Sequence, residues 1–268
     1  MSRLRDAVYG AAVGDALGVP YEFKNRGSFE CTGMVGYGTY HQPAGTFSDD
    51  TSMMLATCDS LRENGGAIDT HDMRSRFVEW MDQGRYAIDG NVFDMGNTVR
   101  IALRRGRGMA GERDNGNGSL MRIAPLAFVD AGRDKIRKVS SITHAHRTST
   151  ESCVVFVEAA RQLAAGEPVA QVIDGVSVDD YEFDPEKPRE LVRSGGYVIH
   201  TLDSAFWCLA NTDSYAECVL EAVNLGGDTD TTACVAGALA GIVYGFDAIP
   251  AEWLETLRGK DLIEECLF

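Results

Sequence analysis

Long apolar runs are missing from this chain. The longest uncharged one, residues 233–246, has 14 residues, short of the roughly 20 needed to cross a bilayer, so no membrane span is expected. Strand patterning is nearly missing too, which argues against a sheet-based fold. The letters GRGMAG at residues 106–111 satisfy G-x-G-x-x-G, yet they follow the helical stretch TVRIALRR where a dinucleotide fingerprint needs a strand. The seven cysteines (31, 58, 153, 208, 218, 234, 266) show no C-x-x-C spacing and an odd total, which excludes a disulfide scaffold and a zinc site and fits reduced thiols used in packing. No Ser-His-Asp or Cys-His spacing suggests a nucleophilic triad. Positive charge is short: 25 Lys and Arg stand against 40 Asp and Glu, a net charge of −15. Nucleic acid would be repelled over most of such a surface. Asp6 and Asp15 interrupt the N-terminal apolar stretch where an export signal needs continuity, so a cytoplasmic protein is expected.

What is present is helix. A length of 268 residues with 44% hydrophobic content suits one domain over residues 1–268. In 70–82, the residues Met73, Phe77, Trp80 and Met81 recur at helical spacing and form one apolar face. The segment 148–165 opens with hydroxyl caps and stops before Gly166 and Pro168. Similar patterns predict helices over 4–16, 51–62, 96–104, 201–209, 215–225 and 251–258. Segments 27–45, 106–118 and 177–188 are non-helical and too long for simple connectors, so they are functional loops or surface excursions.

The chemistry concentrates at helix starts. Residues 226–232 read GGDTDTT and run straight into the apolar helix ACVAGALAGIVYG. One N-cap oxygen suffices for a helix, and five oxygen-bearing side chains exceed that need. Upstream, Ser48, Asp49, Asp50 and Thr51 precede a second apolar helix in the same way. Two such termini facing one another would gather four carboxylates around one cavity, and like charges so close call for a cation. Oxygen ligands without neighbouring His or Cys suit Mg²⁺ or Mn²⁺. The plainer reading is two ordinary acidic caps. Asp15 reads as a buried, hydrogen-bonded helix residue. Glu22, in GVPYEF, reads as a surface or loop carboxylate, and Asp94, in DMGNT, as a possible cap. The run DNGNGSLMR at 114–122 opens a further helix with a Gly-rich loop suited to phosphate or ribose oxygens, or is a flexible turn with a cap. His144 and His146, two apart, are metal ligands, ligand contacts or satisfied core residues, the last being the plainer reading.

Six segments then stand in a telling order: GAAVGDALGVPYEF, SDDTSM, DMGNTVR, GNGSLMRIAPLA, THAHR and NLGGDTDTTACVAGALAG. Together they resemble the ADP-ribosylglycohydrolase family, over residues 4–245. The resemblance implies an all-α, orthogonal helical bundle that hydrolyses the glycosidic bond between ADP-ribose and an acceptor. It implies a centre of two divalent cations, Mg²⁺ or Mn²⁺, with Ser48, Asp49, Asp50, Asp228, Asp230 and Thr231 as ligands; Ser48 stands where the family more often has Thr. It implies Glu22 and Asp94 as catalytic carboxylates without choosing between them. Asn115, Gly116, Asn117, Gly118, Ser119 and His144 would line the ADP-ribose cleft. The expected substrate is an ADP-ribosylated protein, with arginine as first choice of acceptor, and the product is free ADP-ribose; a monomer is the default. Alternatives are an ADP-ribosylserine or small ADP-ribosyl substrate, a non-catalytic ADP-ribose-binding protein, and a two-metal phosphohydrolase.

Overall fold

The structure, a computed structural model, describes residues 3–268; the first two residues of the domain expected over 1–268 lie outside the described residues. In chain order its helices are α1 (Arg3–Gly18), α2 (Asp49–Glu63), α3 (Thr70–Gln83), α4 (Asn97–Arg105), α5 (Arg133–Ser140), α6 (Arg147–Ala164), α7 (Val169–Ile173), α8 (Val198–Ala210), α9 (Tyr215–Asn224), α10 (Thr229–Tyr244), α11 (Ala251–Thr256) and α12 (Lys260–Cys266). The only strands among the described residues form one short antiparallel hairpin, β1 (Ser177–Val178) and β2 (Tyr181–Glu182), paired Ser177 to Glu182. The all-α expectation holds.

The core is organised by α1 and α10. Both are buried along almost their whole length, as helices that are apolar all round must be. Glycines spaced four apart put their backbones in direct contact. A Cβ on Gly10 would fall 2.2 Å from the Gly237 carbonyl oxygen, and one on Gly14 would fall 2.1 Å from that of Ala233. Around this pair α2, α8 and α9 complete the centre, and α6 packs against α5, α8 and α10. Outer helices are one-sided: α3 buries Met73, Phe77 and Trp80, as their spacing predicts. All seven cysteines are free and buried. No helix among the described residues is long and apolar enough to cross a membrane.

Three differences from the sequence reading have local causes. No α-helix follows the 114–122 loop; consecutive turns lead into a 3-10 helix, Ala124–Phe128, because Pro125 has no N–H to donate to an α-helical ladder. Helices α5, α7 and α12 are 8, 5 and 7 residues long, too short to show a clear period. The helix expected over 251–258 ends at Thr256, since Leu257 turns extended.

Gly14→Ala tests the seam. The substitution gains about 1 kcal/mol in helix propensity, but its methyl would overlap the backbone of α10, and overpacking costs about 1–3 kcal/mol or more. The expected net result is a thermal midpoint lowered by several degrees in a calorimetric or circular-dichroism melt; an unchanged or raised midpoint would show that the helices separate freely.

Candidate active site

The same seam builds the site. A Cβ on Gly18 would lie 2.4 Å from the Asp230 Cα, so the end of α1 abuts the start of α10. Past the 3-10 turn Val19–Tyr21, Phe23 takes a left-handed backbone (φ 65°) and donates to the Gly227 carbonyl at 2.7 Å, while the Gly227 N–H returns a bond to Lys24 at 2.9 Å. That reciprocal pair pins Glu22 beside Asp228. Thr39 Oγ1 also donates to the Glu22 carbonyl at 2.7 Å. The start of α2 is docked by Asp15, wholly buried, whose carboxylate accepts from Ser48 N (2.9 Å), Thr51 N (3.0 Å) and Thr51 Oγ1 (2.6 Å). Asp15 is thus the hydrogen-bonded interior residue its sequence context suggested.

Two acidic helix starts therefore meet. One carboxylate oxygen from each of Glu22, Asp228 and Asp230 lies within 4.8 Å of the others. Thr231 Oγ1 donates to Asp50 Oδ1 at 3.2 Å, joining α10 to α2. Asp94 belongs to the same group: it takes the Tyr40 hydroxyl proton in a hydrogen bond and lies within reach of Glu22 and Asp230. Its backbone is left-handed (φ 57°), a conformation disfavoured for a non-glycine residue and found at functional sites.

Ser48 does cap, accepting from Asp50 N at 3.2 Å. Asp228 occupies the N-cap position of α10, yet its side chain caps nothing and accepts instead from Asn117 Nδ2 at 2.9 Å. Asp94 is no cap either, since Gly96 holds that position for α4. Glu22, read from sequence as a surface or loop carboxylate, is 5% exposed; the pairing of 23–24 with 227 carries it inward. Four buried carboxylate oxygens, Glu22 Oε2, Asp50 Oδ2, Asp228 Oδ1 and Asp230 Oδ2, have no hydrogen-bond partner.

Burial first, and neighbouring carboxylates second, push the acids of this group up in pKa: Glu22 to about 9, with Asp94 its largest electrostatic neighbour, and Asp49, Asp50 and Asp230 well above the ordinary carboxylate range. Asp94 and Asp228 rise for the same leading reason, burial, although hydrogen bonds from Tyr40 and Asn117 oppose it. Unpaired buried oxygens with hard-donor chemistry and mutual repulsion fit divalent cations such as Mg²⁺ or Mn²⁺. Glu22 joins the expected ligands Asp228 and Asp230 in that geometry, where sequence reasoning set it apart as catalytic.

The Gly-rich loop lies across from these acids. It pairs with the segment before α8: Asn117 N donates to Gly196 (3.1 Å) and Val198 N to Asn115 (3.0 Å). The N–H groups of Gly116, Gly118 and Ser119 have no acceptor among the described residues, so an oxygen-rich ligand would find donors there. The side chains are less free than expected. Asn117 bridges Asp228 and Thr201, and Asn115 is held by Ser149 and Glu112. Ser119 faces the interior, wholly buried, bonded by Ser140 at 2.9 Å. His144, 2% exposed, lies beneath the loop, while His146 caps α6 through Nδ1 at 3.2 Å from Thr148 N. Tyr40, Thr39 and Thr201 were not singled out from sequence. The Gly- and Pro-rich composition of 27–45 was the signal for the first two; nothing in the spacing marked Thr201.

The ADP-ribosylglycohydrolase family pattern matches residues 1–267. The chain is 32% identical to an ADP-ribosylarginine hydrolase, Tri1, of Pseudomonas putida, over 99% of this chain and 76% of that one. It is also 32% identical to an ADP-ribosyl-(dinitrogen reductase) glycohydrolase of Rhodospirillum rubrum, over 96% and 91% of the two chains. A solved structure described as an ADP-ribosylglycohydrolase-related protein complex superposes with a TM-score of 0.83 at 31% identity, covering 98% of this chain and 95% of that one.

The electrostatics predict opposite responses with and without metal. In EDTA, raised carboxyl pKa values mean that the folded chain holds protons the unfolded chain has released; stability should therefore fall as pH rises from the ordinary carboxylate range towards 9. Asp230→Asn removes one repelling charge and should raise the EDTA melting temperature. Added Mn²⁺ at a hundredfold excess over its dissociation constant should stabilise wild type by about 2.7 kcal/mol and the variant far less. A wild type indifferent to Mn²⁺ and Mg²⁺ in differential scanning fluorimetry would rule out the cation reading.

Proposed function

We propose an activity from one premise: the chain belongs to the ADP-ribosylglycohydrolase family and is a hydrolase of ADP-ribosyl bonds. The proposed reaction is hydrolysis of the bond between C1 of the ribose distal to adenine and an arginine guanidinium nitrogen of a protein, releasing free ADP-ribose. The observation that carries it is the meeting of two acidic helix starts, with four unpartnered carboxylate oxygens, opposite a loop of unpaired N–H donors. Such a cleft offers a cation site to a sugar and a donor site to a diphosphate. The arginine acceptor rests on the similarity to the ADP-ribosylarginine hydrolase of Pseudomonas putida, and a protein substrate on that to the dinitrogen reductase glycohydrolase as well.

Ser48, Asp49, Asp50, Asp228, Asp230 and Thr231, with Glu22, would hold divalent cations. Once bound, these supply a positive anchor for ribose hydroxyls and offset the charge of the diphosphate. The chain's own residues do the rest. Cleavage passes through an oxocarbenium-like state in which the C1–N bond breaks and a water oxygen bonds to C1. Asp94 is the proposed proton carrier: like Asp228 it is only half-buried, and unlike Asp228, which Asn117 holds, its carboxylate is oriented by the Tyr40 hydroxyl. It takes the proton from the attacking water and returns one to the departing guanidine nitrogen. Asn117 holds Asp228 in place from the loop side.

The test is release of ADP-ribose from arginine- and serine-ADP-ribosylated proteins, with Mg²⁺, Mn²⁺ or EDTA. Wild type should act on the arginine linkage only with metal. Asp228→Ala should be inactive, and Asp94→Asn should lose about 10²- to 10⁴-fold in kcat while still binding ADP-ribose. Formation of AMP or phosphate in place of ADP-ribose would favour a phosphohydrolase, and ADP-ribose binding without turnover a binding protein.

A further inference from the structure

Arg122 is an oddity: a wholly buried guanidinium with no carboxylate beside it. A buried charge without a counterion is costly. Arg122 sits over the Phe77 ring, 4.5 Å from its centre, and donates to the Val139 carbonyl (3.2 Å) and to Thr143 Oγ1 (2.9 Å). Thr143 Oγ1 lies 2.9 Å from His144 Nδ1. Nothing in the acidic site needs this chain of contacts, yet it ends under the Gly-rich loop.

The direction of the hydrogen bonds follows from counting donors. A guanidinium can only donate, so Thr143 Oγ1 accepts from Arg122. A hydroxyl has one proton, and Thr143 is wholly buried with no other acceptor among the described residues. If Thr143 also accepted from His144, that proton would be stranded as an unsatisfied buried donor, which is costly. Thr143 therefore donates to Nδ1. Burial, and secondarily Arg122, hold the imidazole pKa down to about 3, so the ring is neutral and its single proton resides on Nε2.

That nitrogen points at the loop. A Cβ on Gly116 would lie 3.4 Å from Nε2, and one on Gly118 would lie 3.6 Å from it and 3.0 Å from Cε1. A side chain on Gly118 would be caught between this ring and Val99 Cγ2, 2.9 Å from the same Cβ, while a Cβ on Gly116 would rest in ordinary contact with the ring. Nε2 has no partner among the described residues, and the loop it faces carries the unpaired N–H groups of Gly116, Gly118 and Ser119. We propose that Arg122 and Thr143 are positioning residues that lock His144 as an Nε2–H donor, adding one side-chain proton to the backbone donors that receive a ligand oxygen. The ligand half of this inference rests on the proposed ADP-ribose reading of the loop; the tautomer half does not.

Long-range ¹H–¹⁵N correlation spectra of the histidine-labelled full chain test it, with His144 signals assigned through His144→Gln. Wild type and Thr143→Ser should show the Nε2–H form. Thr143→Val should shift His144 to the Nδ1–H form or a mixture and weaken ADP-ribose binding by about tenfold or more, read by calorimetry. Arg122→Met, which removes the nitrogen shared by the Val139 carbonyl and Thr143 Oγ1 and so offers the Thr143 proton that carbonyl as an alternative acceptor, should shift the tautomer in the same sense and serves if Thr143→Val does not fold. An Nδ1–H ring in wild type, or one indifferent to both variants, overturns the positioning role. A shifted tautomer with unchanged ADP-ribose affinity overturns the ligand half. A wild type that binds no ADP-ribose even with Mn²⁺ overturns the proposed function and the ligand half and leaves the tautomer result standing.

Discussion

The direct contact of two helix backbones is the constraint on which the rest depends. Because Gly10, Gly14 and Gly18 carry no side chain, α1 lies flush on α10, and the C-terminal end of one helix touches the N-terminal turn of the other. Everything acidic then follows by short connections. Asp15 leaves α1 to dock α2, Glu22 emerges just past its end, and Asp228 and Asp230 stand where α10 begins. A side chain at the seam would widen the gap at every one of these points together.

The price of that arrangement is electrostatic. Two ionised carboxylates about 5 Å apart repel by about 3 kcal/mol at an effective dielectric of 20, and burial removes the water that would screen them. A folded domain has only about 5–15 kcal/mol to lose. The site therefore persists either by holding protons, which is what the raised pKa values of Glu22 and the aspartates express, or by holding cations. An interior of this kind is poor as a scaffold and good as a receptor for positive charge.

Across the cleft the chemistry inverts. The Gly116–Ser119 loop presents hydrogen-bond donors, and the guanidinium of Arg122 lies behind it, linked through Thr143 and His144. In a chain with a net charge of −15, an anion would meet N–H donors here in place of carboxylates. The two halves are mechanically linked: Asn117 reaches from the donor loop to Asp228, and Asp228 N to Ser194 of the segment that pairs with that loop. A ligand that is part sugar and part diphosphate would touch both halves, and each would fix the other's distance.

Much of this was legible in the residues themselves. Helical period, caps and stops located the larger helices to within a few residues, since local patterning fixes local structure. The surplus of oxygens in SDDT and GGDTDTT marked the acidic ends before any contact was known, because capping has a bounded need for them. Tertiary structure decided what each oxygen does. The pairing of 23–24 with 227 turned Glu22 inward, Asn117 drew Asp228 from its cap, Ser140 and Cys153 hold Ser119 in the interior, and His144 came to lie under two glycines. Those outcomes depend on residues up to about two hundred positions apart in the chain, such as Phe23 and Gly227, and on the balance of charge and burial that exists only once they meet. Sequence spacing carries the identity of a donor or acceptor; its partner is chosen in space.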